Sequence, residues 1–231
     1  MTDPNRPPPN HRLRLTFAKK SQIKYISHLD LVLVWERALR RAEIPLAYSQ
    51  GFNPRPKLQV ASGLPVGTTG IAEILDILIT QPIAPKEALE RVKATLPQGV
   101  AIHTVEEVSL KSPTLQHLLR QAEYQVTVET ELSAEALTKR IESLLTAKQL
   151  IQTRRRKQRA EEFDLRPWLH DLRLEAVHNG QVRFFMQLAT GQFGNLRPEN
   201  VLKALDLADN WAEIERTRLI FEGDPQLNQT P

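Results

Sequence analysis

The chain has no cysteine among its 231 residues. It therefore makes no disulfide, offers no thiolate nucleophile and cannot hold an iron–sulfur cluster on thiolates of its own. No apolar run approaches the roughly 20 residues needed to cross a bilayer, so no membrane association is expected, and the lack of an apolar targeting segment points to the cytoplasm. The six histidines, His11, His28, His103, His117, His170 and His178, show none of the paired spacings of a zinc site. No metal and no cofactor are expected. Gly63, Gly67 and Gly70 are not followed by a GKS or GKT triplet, and neither a GxSxG elbow nor an HExxH motif occurs. Glu73 and Asp76 fall on opposite faces of one strand pattern, which reads them as surface or edge acids rather than a catalytic pair. No catalytic residue is assigned.

Net charge is small, +4, from 31 Lys and Arg against 27 Asp and Glu. Its distribution is uneven. Residues 1–62 hold 11 basic and 4 acidic side chains, and residues 148–159 hold 6 basic and none acidic, so the remainder is net acidic. Two basic blocks in an otherwise acidic chain suit an anionic partner.

Residues 1–10, with Pro4, Pro7, Pro8 and Pro9, carry no apolar period and are expected to form a disordered tail. Leu13, Leu15 and Phe17 then alternate with Arg12, Arg14 and Thr16, the two-residue period of a half-buried strand with a basic face. Ser27 as N-cap and Asp30 as its capping-box partner open a helix over residues 28–43, which Pro45 terminates. Gln50 to Pro56 reads as a tight loop, Lys57 to Ser62 as a short strand, and residues 71–80 as the strongest strand of this half. A helix from Pro85 and a strand over residues 100–110 complete the order β-α-β-β-α-β.

After a joint at 111–121 the order recurs. Tyr124, Val126 and Val128 alternate, Ser133 opens a helix, residues 150–158 are strand-like, and an acidic loop follows around Glu161, Glu162 and Asp164. A hairpin across His178, Asn179 and Gly180, a helix from Pro198 and a strand over residues 214–221 close this half. The expected fold is α+β: tandem ferredoxin-like halves at 11–110 and 122–222, each an antiparallel sheet covered on one side by two helices, with a linker at 111–121 and a tail at 223–231.

The chemistry concentrates between residues 24 and 57. Arg37, Arg40 and Arg41 are spaced to form one basic ridge along the first helix, either seating phosphates or lying solvated and partly paired with Glu36 and Glu43. Lys19, Lys20, Lys24, Arg55 and Lys57 bracket the same helix. In the loop, Phe52 and Asn53 beside Arg55 and Lys57 combine an aromatic with guanidinium and ammonium groups, the surfaces on which unpaired bases stack. The alternative is that Phe52 plugs the core and Asn53 caps the turn. His28 is read as a structural or RNA-facing residue. Arg154, Arg155, Arg156, Lys157 and Arg159 form a run too dense for a core strand, either a second phosphate contact or a charged hairpin.

Residues 24–77 resemble the radical-SAM-associated (radical SAM-linked) domain family of uncharacterised bacterial proteins. The segments that carry the resemblance are SHLD at 27–30, RALRRA at 37–42, YSQGFNPRPK at 48–57 and LPVG at 64–67. The resemblance implies a partnership with a separate radical SAM protein, in RNA modification or ribosome-related metabolism, and supplies no catalytic assignment. The expected function is an RNA-binding accessory module that holds a structured RNA, tRNA or rRNA. One alternative is a protein–protein adaptor for the radical SAM partner that makes no RNA contact. Another is a metal-independent endoribonuclease, because tandem ferredoxin-like halves with basic loops are similar in architecture to CRISPR repeat-RNA endoribonucleases; that reading would make His28 the acid or base and Lys57 the charge stabiliser.

Overall fold

The computed structural model describes residues 7–156, 159–192 and 194–223, with backbone only at 154–156 and 159. The first six residues of the expected tail, most of the tail at 223–231, and Lys157 lie outside the described residues. The chain is mixed α and β and divides after Leu118 into two compact units.

In the first unit the order is β1 (His11–Lys19), α1 (His28–Arg41), β2 (Leu58–Val60), β3 (Thr68–Ile79), α2 (Pro85–Lys93), β4 (Val100–Val108) and a short α3 (Leu115–Leu118). Its strands run in the order β4-β1-β3-β2, every neighbour antiparallel. Alternation decides the faces. Leu13, Leu15 and Phe17 of β1 share a buried cluster with Leu75, Ile77 and Ile79 of β3. Leu31, Trp35 and Leu39 of α1 and Ala88 and Val92 of α2 join the same cluster, so both helices cover one face of the sheet. Trp35 meets Phe17 edge-on, with ring centroids 4.9 Å apart. At the chain's entry, Asn10 donates its backbone N–H to Ile79 and so belongs to the sheet's margin rather than to a free tail.

The opposite face of the sheet corrects the sequence reading. Asp76, expected at a surface or an edge, is only 5% exposed, and Arg14 stands across from it in register at 3%. The guanidinium grips the carboxylate with two bonds, 2.8 Å from Nε to Oδ1 and 3.0 Å from Nη2 to Oδ2. Two charges survive burial there because each neutralises the other through a bidentate geometry. Glu73 is buried as well. So is Lys19, which leaves the accessible basic set: its Nζ donates to the carbonyls of Lys24 and Ile26 and fastens the turn ahead of α1.

The second unit contains β5 (Leu119–Glu129), α4 (Ala134–Thr146), β6 (Ile151–Arg156), β7 (Arg159–Asp164), β8 (Leu169–His178), β9 (Gln181–Ala189), α5 (Pro198–Ala204) and β10 (Ala212–Phe221). Its sheet order is β10-β5-β9-β8, again antiparallel throughout. Ala122, Tyr124, Val126 and Val128 of β5 stand beside Leu188, Met186, Phe184 and Val182 of β9, and all eight are buried. Leu137, Ile141 and Leu144 of α4 and Val201 and Leu202 of α5 are the buried sides of the two helices. The stretch expected to be an acidic loop is instead strand β7. It pairs with β6 as a separate hairpin in which Arg154 lies opposite Glu161 and Thr153 opposite Glu162. No apolar period announces this strand in the sequence.

Candidate nucleic-acid interface

Of the four motif segments, SHLD and LPVG meet at the start of α1, whereas RALRRA, at its end, meets the YSQGFNPRPK segment through Arg40 and Tyr48. Ser27 caps the helix: its hydroxyl accepts the Asp30 N–H at 3.1 Å, and the Asp30 carboxylate accepts the Ser27 hydroxyl at 2.7 Å and its N–H at 3.2 Å. Those bonds from Ser27 hold the Asp30 carboxyl below its ordinary pKa, the side-chain bond being the larger cause. The turn before the helix is tied to the LPVG segment, since Gly67 donates its N–H to the Lys24 carbonyl at 2.8 Å. Gly63 is glycine for a local reason. A Cβ there would stand 3.2 Å from Cγ of His28, whose ring packs against that backbone.

The YSQGFNPRPK segment folds back on itself as a finger. Ala47 accepts from Lys57 N–H at 2.8 Å, Ser49 N–H donates to Arg55 at 2.9 Å, and Arg55 N–H donates to the Ser49 hydroxyl at 3.0 Å. A bridge between Tyr48 and Pro56 closes the same base. Gly51 turns the tip at φ 115°, a conformation that side chains disfavour. Phe52 is carried on this tip and is 97% exposed, so it does not plug the core. Asn53 and Arg55 are exposed beside it, and Lys57 is half-buried at the base.

Helix α1 presents Arg37, Arg40 and Arg41 to solvent. None of the ion pairs among the described residues involves them, so the expected pairing with Glu36 and Glu43 is not found. Arg40 lies over the Tyr48 ring at 5.8 Å, which joins the ridge to the base of the finger. Arg41 is partly engaged, donating to the Thr95 carbonyl at 2.7 Å. Lys24 is half-buried, with its ammonium 5.2 Å from the exposed Tyr25 ring. Arg154, Arg155, Arg156 and Arg159 belong to the β6–β7 hairpin of the second unit, where only the backbone is described.

A cavity of about 530 Å³ opens beside the finger's base, lined by His28 and Val32 of α1, Lys57 to Val60, Arg12, Asp76 and Leu78 of the sheet, and Thr114 and Gln116. The imidazole Nδ1 of His28 is buried and has no hydrogen-bond partner. Sequence reasoning found His28 and Lys57 but missed Arg12, Gln59, Asp76 and Gln116. Those residues are brought together by strand register, with Gln59 opposite Asp76 on β3, and by the return of the chain at 110–118. No local motif marks them. Among the described residues, no group of three or more His, Asp or Glu side chains is placed to hold a metal ion, and no helix is long and apolar enough to cross a membrane.

In fold, the chain is similar to a chain of a Cbf5-Nop10-Gar1 complex at 13% identity and a TM-score of 0.50, covering 96% of this chain and 56% of that one. It is similar to a chain of an H/ACA RNP bound to a substrate RNA containing 2'-deoxyuridine at 13% identity and a TM-score of 0.48, covering 94% and 53%. A chain of the archaeal box H/ACA sRNP Nop10-Cbf5 complex gives 12% identity and 0.46, covering 97% and 56%. This chain thus spans little more than half the length of those three, and at such identities the likeness is one of fold. No curated protein matches it. A family model described as "Uncharacterized protein conserved in bacteria (DUF2344)" matches residues 12–198, and the chain belongs to that family.

Proposed function

We propose that the chain is an RNA-binding accessory module. Two ferredoxin-like domains, 11–110 and 122–222, hold a structured RNA, tRNA or rRNA, for a separate radical SAM protein in the cytoplasm that acts in RNA modification or ribosome-related metabolism. The shared strand order of the two sheets, 4-1-3-2 when each unit's sheet strands are counted along the chain, supports the ferredoxin-like reading. The observation that carries the RNA reading is Phe52, fully exposed at a finger tip beside Arg55, with the unpaired arginine ridge of α1 joined to the finger's base. An aromatic held in water at the end of a stiff loop has no folding role. A base stacked on it, with phosphates on Arg37, Arg40 and Arg55, with Asn53 and Lys57 in the same finger and Lys24 and His28 at the start of α1, accounts for its placement. The basic residues 154–159 supply further phosphate contacts.

Titration of the full chain with labelled tRNA and rRNA fragments over a salt series tests this. Binding should weaken steeply with salt, because each neutralised phosphate releases counterions, and Arg37→Ala with Arg40→Ala should flatten the slope. Unchanged affinity in the double variant, with no dependence on salt, overturns the reading.

A second reading is favoured by Leu29 and Leu33, both exposed and four residues apart on α1. An apolar pair there suits a protein surface, so the first unit would dock on the radical SAM partner without touching RNA. Copurification free of nucleic acid, and protection of residues 27–57 only when the partner is added, would favour it.

A further inference from the structure

We infer that the cavity at the finger's base is a binding pocket for a single nucleotide unit, an aromatic base with its phosphate, presented by a single-stranded stretch of RNA or as a free mononucleotide. The inference rests on the RNA reading for its first source and is independent of it for the second. A volume of about 530 Å³ falls within the roughly 300–1,000 Å³ of small-ligand pockets. The walls divide by chemistry. Val32, Leu58 and Leu78 give an apolar surface for a flat ring. Gln59 donates to the Gln116 side-chain oxygen, and Gln116 donates to the Val60 carbonyl at 3.2 Å, so the two amides lock one another. That arrangement leaves a carbonyl oxygen and one N–H on Gln59, the paired acceptor and donor that read a base edge.

The remaining polar groups complete the site. Asp76 is neutralised by its two bonds from Arg14, and Arg12 lies 3.9 Å from the same carboxylate, so the pocket is not acidic. Arg12 contributes charge but few free donors, because its fork is spent on the carbonyls of Leu110, Ser112 and Pro113. Lys57 has no such engagement among the described residues and is the group for the phosphate. The buried Nδ1 of His28 lacks a partner. His28 lines the cavity while its Nδ1 edge packs against Gly63, so an occupant is sensed through the surroundings of the ring rather than through a bond at that nitrogen.

The test uses full-length protein with ¹⁵N-labelled histidine, the His28 signals being assigned with His28→Gln. The probes are the four nucleoside 5'-monophosphates and a single-stranded RNA oligonucleotide with and without one abasic position. Either source should shift the His28 ring nitrogens. Lys57→Ala should weaken binding by roughly tenfold to a hundredfold, as for a hydrogen bond to a charged group. Thr114→Trp, an exposed rim position, should block the pocket, and Gln59→Ala serves should that variant misfold. Arg37→Ala should weaken the oligonucleotide and leave the mononucleotide unchanged. Salt-dependent oligonucleotide binding with immobile His28 signals, no preference over the abasic strand and no effect of Thr114→Trp or Gln59→Ala overturns the pocket and leaves the RNA reading standing. Mononucleotide binding at His28 with no oligonucleotide binding supports the pocket and overturns the RNA reading. Silence of His28 toward every probe overturns the pocket outright.

Discussion

Replacing Phe52 by alanine separates a binding role from a folding role more cleanly than any other change in this chain. The side chain is 97% exposed, so truncating it removes almost no buried surface. Folding stability should therefore move by no more than about 0.5 kcal/mol, the range of surface substitutions that touch nothing. A base stacked on an aromatic ring contributes about 1–3 kcal/mol. The loss in RNA affinity should then be roughly 5-fold to 150-fold. Fluorescence anisotropy with a labelled single-stranded RNA at fixed salt measures the second quantity, and a guanidinium melt measures the first. Phe52→Ala removes no charge, so the salt slope should keep its wild-type value, whereas Arg55→Ala should lower it by about 1. Phe52→Trp should retain or improve binding. The reasoning fails if affinity is unchanged in Phe52→Ala, or if the melt shifts by more than the surface range, since that would mean the ring packs on the protein.

Three further outcomes follow from the same geometry. Asp76→Ala leaves Arg14 buried without its bidentate partner and should cost about 3–5 kcal/mol in chemical denaturation; a loss under about 1 kcal/mol would show that water reaches the pair. Gly51→Ala forces a side chain into φ 115° and should strain the finger by about 1–3 kcal/mol, lowering RNA affinity without disturbing the core signals in a heteronuclear spectrum. Ser27→Ala removes the cap of α1 and should cost about 1 kcal/mol. The carboxyl of Asp30 is held below its ordinary pKa by its bonds from Ser27, so its contribution is present above the unfolded-state value and is lost as pH falls through the folded-state value. A pH series of melts on the acid side should therefore be less steep in Ser27→Ala than in the wild type, and identical slopes would contradict the assignment.

Much of the first unit was legible because its signals are local. Ser27 and Asp30 lie within one turn, Pro85 sits at the start of α2, and Leu13, Leu15 and Phe17 state their face by alternation. What escaped the sequence depends on partners far along the chain. Arg14 and Asp76 are 62 residues apart, and only strand register turns an apparent basic face and an apparent edge acid into a buried pair. Strand β7 has no apolar period, and its pairing with β6 depends on a partner that no local signal names. For Phe52 both outcomes were open, since an aromatic in a stiff turn can plug or project. The closing bonds at Ala47–Lys57 and Ser49–Arg55 decide it by holding the tip away from the core. The cavity around His28 was invisible for the same reason as the buried pair, because its walls come from both ends of the unit.

Photocrosslinking tests the central claim most directly. Full-length protein bound to 4-thiouridine-containing RNA is irradiated, digested and read by mass spectrometry for peptides that carry a nucleotide. The account predicts adducts within residues 50–57, at Phe52 first, that are lost at high salt and in Arg37→Ala with Arg40→Ala. Adducts confined to other surfaces, or none at an RNA concentration that saturates binding, would contradict it.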